Sequence, residues 1–182
     1  MEKLQRAALT AAITAAVAAG LGIAATTANA QPVASQSAAA GRVGADERVV
    51  ESFLHDVVDE HNGGATADFV TSDVSWHGGT LGVVSGSANV TNLFTGIVTA
   101  LPDLHATIFD VIGQGNQVVV RQVITGTQEQ AIIGIPASGK VVSWNAVDLF
   151  VLRDGKISQI WAGDDWTAIL ADTGTYKAPW IN

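Results

Sequence analysis

The apolar period of this chain changes once, at Pro102-Asp103, and that change constrains the fold more than any other feature. Before it, Val49, Val50, Phe53, Leu54, Val57 and Val58 recur at i, i+1, i+4, i+5, the stripe of an amphipathic helix. Asp46 is placed to cap that helix and Asn62-Gly63-Gly64 to stop it. A helical turn at residues 66–69 leads into an extended piece, 73–77, and then a glycine-rich loop. Ser87 can cap a second helix that turns Val90, Leu93, Phe94, Ile97, Val98 and Leu101 inward. After Pro102, segments 104–112, 118–127, 128–133, 141–153 and 156–163 are rich in Val, Ile and Trp and read as strands. Gly113-Gln114-Gly115-Asn116 and Asp154-Gly155 are hairpin turns, and Pro136-Ala137-Ser138-Gly139 is a longer one. A last short helix spans 166–171. Helices first and a meander after them predict an α+β fold, with helices covering one face of a curved antiparallel sheet. A sheet curled over helices leaves a pocket at its open end, where a small molecule would bind.

The N-terminus sets the expected address. Lys3 and Arg6 precede an uncharged run, 7–25, that ends near Ala28-Asn29-Ala30, the pattern of a signal peptide over 1–30. A membrane anchor is the alternative, but the run is mostly Ala with Thr and Gly and so weakly hydrophobic. Cleavage would make the protein secreted or periplasmic. Residues 31–45 are small and polar without periodicity and read as a flexible linker, followed by a domain at 46–174 and a tail at 175–182. The chain has no cysteine, which excludes a lipidated cysteine, disulfides, thiol chemistry and Cys-ligated zinc. Without residues 1–30, 16 acidic residues stand against 7 basic ones, a net charge of −9. That balance opposes nucleic acid and anionic membrane as partners, since both require a basic surface. The roughly 150 remaining residues suit one core.

Three stretches, in order, carry a resemblance. They are the helix end into Pro102-Asp103-Leu104, the turn Ile133-Gly134-Ile135-Pro136-Ala137-Ser138-Gly139-Lys140, and Val147-Asp148-Leu149-Phe150 running to Asp154-Gly155-Lys156-Ile157 with Trp161 and Asp165. Together they resemble the SnoaL-like polyketide cyclase, or ester cyclase, family over about residues 46–174. The resemblance implies a nuclear-transport-factor-2-like cone. It also implies ring closure of a polyketide ester by intramolecular aldol condensation, without metal or cofactor. A carboxylate in an apolar pocket would take a C–H proton while neighbours stabilise the enolate. Relatives of this fold often form a homodimer through the outer sheet face.

The resemblance points to candidate catalytic residues Asp148, His77 and Asp165. Asp148 stands where the family carries Asp or His, and alternation puts it with Ala146 and Phe150 on one face, towards either the pocket or water. The family's catalytic Asp lies five residues after the Ile of Asp-Gly-Lys-Ile, which in this chain is Ala162. Asp164 and Asp165 follow closely. Asp165 matches the Asp before the family's last helix, where capping is its other reading. His77 is either a pocket partner of Asp148 or a structural histidine. Arg121, inside the apolar run Val118-Val119-Val120, either meets Asp148 or a substrate acid, or turns outward into a surface pair. Phe53, Trp76, Trp144 and Trp161 are candidates for the substrate-binding wall, or plain core. The four histidines, His55, His61, His77 and His105, lack metal-type spacing, so no metal site is expected. The function expected is acid/base chemistry on a small, apolar, oxygenated molecule: ring closure, isomerisation, dehydration or hydrolysis. The alternative is a non-catalytic binding protein that keeps the pocket.

Overall fold

The computed structural model describes residues 34–177, 179 and 180. The expected signal segment, 1–30, lies outside the described residues. Helix α1 spans Ala34–Phe53 and continues without a break into a π-helical segment, Leu54–Asp59. The helix therefore starts within residues 31–45, read above as linker, and Asp46 lies inside it, buried, rather than capping it. Alanine-rich sequence favours helix on its own propensity. Val50, Phe53, Leu54, Val57 and Val58 form the buried stripe. The wider π-helical turn ends in Asp59, whose Oδ1 accepts from the Ala106 N–H at 2.9 Å and pairs with His105 at 3.0 Å, which fastens the helix end to the sheet. The chain then makes a tight approach to the next long helix at Gly63, where a Cβ would fall 2.4 Å from Thr95 Cα.

Helix α2 (Thr66–Phe69) leads into β1 (Val70–His77), then β2 (Val83–Ser85), α3 (Ser87–Ala100), β3 (His105–Gln114), β4 (Gln117–Thr127), β5 (Val141–Arg153), β6 (Lys156–Trp161) and α4 (Trp166–Thr173). The six strands form one sheet in the order β2-β1-β6-β5-β4-β3. The fold is α+β, with helices on one face of an open, curved sheet. One pairing departs from the expected antiparallel sheet: β1 and β6 run parallel. The alternation of β5 is the clearest in the molecule, with Val142, Trp144, Ala146, Asp148, Phe150 and Leu152 all buried. Gln122 occupies the same inner face of β4.

The segment 128–133 is a loop and not a strand. Its backbone bonds go elsewhere: Gln128 N–H donates to Lys140 O at 2.8 Å and Glu129 N–H to Ala100 O at 2.9 Å. The fully buried Gln128 amide replaces a sheet neighbour. Its Nε2 donates to the Ile135 and Pro136 carbonyls, and its Oε1 accepts from Ser138 Oγ at 2.7 Å. Satisfying a buried amide inside the loop gives these residues the hydrogen bonds that a strand partner would otherwise supply. No helix of the described residues is long and apolar enough to cross a membrane.

Candidate functional site

Between the helices and the inner sheet face lies a cavity of about 70 Å³. Phe53 and Leu54 reach it from the first helix and its π-helical extension, Phe94 from α3, Trp76 from β1, and Ile132 from the loop. Its walls are apolar except at one end, where Asp148, Asp164 and Gln122 meet.

Ala146 explains how they meet. It faces Gln122 across the β4–β5 ladder and bridges to Asp164 on its other side. Its small side chain leaves room for the flanking polar groups to reach Asp148, two residues along the same face. The Gln122 amide donates to Asp148 Oδ2 at 2.8 Å, and the Gly163 N–H donates to Asp148 Oδ1 at 3.0 Å. The Trp144 indole donates to Asp164 Oδ1 at 2.6 Å. Gly163 must be glycine here, because a Cβ would fall 2.3 Å from Val147 O.

Electrostatics follows from burial. Desolvation, and then repulsion from Asp164, push the Asp148 carboxyl up to about 7, against the opposing bonds from Gly163 and Gln122. Burial also raises Asp164, against the bond from Trp144. Two interacting carboxyls titrate as a pair, and burial drives both members of this one towards the protonated form. Such a pair can accept and donate a proton at the same pH. Among the described residues, no cluster of three or more His, Asp or Glu side chains is arranged to hold a metal ion.

The structure separates the sequence candidates by face. Asp148, Phe53, Trp76 and Trp144 line the cavity. His77 does not. It lies on the outer face, stacked on Trp161 with ring centroids 3.8 Å apart and bonded to Ser75 Oγ at 2.9 Å. The pairing of Asp148 with His77 is thus corrected: Trp76 is the inward residue of β1, so its neighbour His77 points the other way. Trp161 is displaced from the wall for the same reason, being the outward neighbour of Ile160. Arg121 also projects outward, paired with Asp110 at 2.6 Å and set over the Phe109 ring, so it meets neither Asp148 nor a bound acid in the cavity. Asp165 is exposed and caps α4, accepting from the Ala168 N–H at 3.2 Å.

No motif in the sequence marks Asp164, Gln122 or Gly163 as site residues. Asp164 was within reach of the same period-two count. Ile160, Ala162 and Asp164 all line the cavity, so the carboxylate absent at 162 reappears one pleat further on the same face. Gln122 offered no such signal, since a glutamine in an apolar run has no preferred chemistry.

The family described as SnoaL-like polyketide cyclase matches residues 48–173. Among solved structures, TsrD from Streptomyces laurentii is similar at 23% identity and a TM-score of 0.65, over 73% of this chain and 97% of that one. A candidate SnoaL-like polyketide cyclase from Jannaschia sp. is 24% identical, with a TM-score of 0.60 over 71% of this chain and 93% of that one. An epoxide hydrolase of the LEH-like type from M. tuberculosis shares the fold at 13% identity and a TM-score of 0.60, covering 74% and 92%. These likenesses establish the nuclear-transport-factor-2-like fold. No curated protein matches the chain.

Proposed function

The chain belongs to the SnoaL-like polyketide cyclase family, and from that premise we propose that it is an acid/base enzyme acting on a small, apolar, oxygenated molecule in the cavity. The observation that carries this reading is the pair Asp148 and Asp164, buried together among aromatic and aliphatic walls. The ionised member takes a proton from the carbon beside a carbonyl. The protonated member donates to the carbonyl oxygen as it gains charge. In ring closure the enol carbon then bonds to a second carbonyl carbon of the same molecule, whose oxygen takes up the abstracted proton, while the enol O–H returns its proton to the other carboxylate and the first carbonyl re-forms. Isomerisation, dehydration and hydrolysis call on the same two groups.

A pocket that binds without chemistry is the second reading, favoured by Ala162 at the family's catalytic position. Asp164 on the same face weighs against it. Deuterium exchange at the α-carbon of a small ketone, followed by NMR, separates the two. Wild type should accelerate exchange and Asp148→Asn should abolish the acceleration; an inert wild type would leave only the binder.

Two further proposals concern address and assembly. Residues 1–30 are read as a cleaved secretion signal, so protein recovered from medium or periplasm should begin at Gln31; an intact Met1 would refute this. The outer sheet face carries a row in register across all six strands, Val83, His77, Trp161, Leu149, Val119 and Ile112. Val83, Trp161 and Ile112 are about half exposed. A second copy of the chain is the proposed cover, checked by sedimentation of wild type against Trp161→Glu.

A further inference from the structure

The polar end of the cavity has an excess of acceptors. Of the residues that line the cavity, only Asp148 and Asp164 are ionisable, and no Lys, Arg or His accompanies them from any of the surrounding helices, strands or the loop. The Gln122 amide nitrogen and the Gly163 N–H are spent on Asp148, and the Trp144 indole on Asp164. Two carboxylates retain lone pairs beyond these bonds. A further acceptor has no partner at all: Gln122 Oε1, on a side chain only 2% exposed. An unpaired buried acceptor costs free energy until a donor reaches it. Three indole rings, from Trp76, Trp144 and Trp166, line the same space, and aromatic faces attract cations.

An anion is excluded from such a site by charge, and a neutral carbonyl compound leaves Gln122 Oε1 without a donor. A primary ammonium brings a positive charge to the carboxylate pair and three N–H donors to three acceptors, one each for Asp148, Asp164 and Gln122. We propose that the cavity is a binding site for a small primary amine, held as the ammonium ion between Asp148, Asp164 and the Gln122 amide oxygen. The ammonium competes with the proton that burial drives onto these carboxylates. This goes beyond the acid/base reading, because it requires binding alone, and its failure leaves the exchange test above untouched.

Isopropylammonium, 2-propanol and acetate form a probe set of matched size suited to a cavity of about 70 Å³. Their binding to the purified protein is read by ¹⁵N–¹H NMR at the Gly163 N–H and the Trp144 indole N–H. The ammonium is expected to bind at least tenfold more tightly than 2-propanol, and acetate not to shift either signal. Ammonium affinity should rise about tenfold or more between pH 5 and pH 8 as the carboxyl pair gives up its proton, then hold until the amine itself deprotonates near ~10. Asp148→Asn and Asp164→Asn should each weaken the ammonium at least tenfold, and by more than they weaken 2-propanol. The wild-type ligand and pH series decides the matter even if a variant does not fold. Binding of 2-propanol or acetate as tight as that of the ammonium, or an ammonium affinity flat with pH, overturns the proposal.

Discussion

The two faces of the sheet use similar residue types for opposite ends. On the inner face, Asp148 and Asp164 are withdrawn from water and held by single donors from Gly163, Gln122 and Trp144. On the outer face, Asp110 and Asp73 meet Arg121 and Arg153 in the open, and His77 lies flat on Trp161. A carboxylate beside an arginine in water is an ordinary ion pair whose contribution is small. A carboxylate among indoles with a second carboxylate for company holds its proton to neutral pH. What separates the two cases is parity along a strand: Asp148 is even in β5 with Trp144 and Phe150, while Arg121 is odd in β4 between the buried Val120 and Gln122.

The sharpest way to break this contrast is through turnover. Under the proposed acid/base function, Asp148→Asn and Asp164→Asn should each lower the rate of α-carbon exchange by about 10²–10⁴-fold. His77→Ala and Arg121→Ala should stay within about twofold in the same assay. Equal losses on both faces would erase the distinction.

Stability against pH tests the same contrast without a substrate. Asp148 binds its proton more tightly folded than unfolded, so between about pH 4 and pH 7 the native state holds a proton that the unfolded chain has released. Unfolding free energy should therefore fall as pH rises through that window, by on the order of 4 kcal/mol, and then level off. Asp164, also raised, adds in the same direction. In Asp148→Asn the decline should shrink, visible as a higher melting temperature than wild type at pH 8 and little difference at pH 4.

Gly163→Ala probes the backbone that joins the faces. The added methyl collides with Val147 O and disturbs the N–H that binds Asp148. Urea denaturation should show a loss of about 1–3 kcal/mol. The smallest effect is expected outside: Arg121→Ala removes an exposed ion pair and a contact with Phe109, together worth about 1 kcal/mol or less.

The same parity argument explains what could be read from the sequence. Strand β5 was legible in full, because thirteen residues alternate without interruption and nothing competes with that pattern. The helix stripe from Val50 to Val58 was legible too. The loop 128–133 was not, since its Ile-rich composition imitates a strand while a buried glutamine, invisible as such, decides its hydrogen bonds. His77 and Trp161 carry pocket-like chemistry on the outward parity: each is one residue from a neighbour, Trp76 or Ile160, that does face inward. Asp164 lay past the end of β6, where alternation continues beside β5 although the regular strand has stopped. The meeting of Gln122 with Asp148 depends on the β4–β5 register, which no local pattern encodes.

The parallel pairing of β1 with β6 has a consequence for how the molecule comes into being. Val70 finds Ile157, and His77 finds Trp161, only after nearly the whole domain between them has been made. Contacts of such sequence separation raise contact order and slow folding. Until β6 is made, β1 lacks a partner on that edge, and Trp76 has no β6 to close against. Both carboxylates of the cavity arrive with that late half. The carboxylate pair and the last structural closure are thus completed together, so a product shortened before β6 would lack Asp164 as well as a completed sheet.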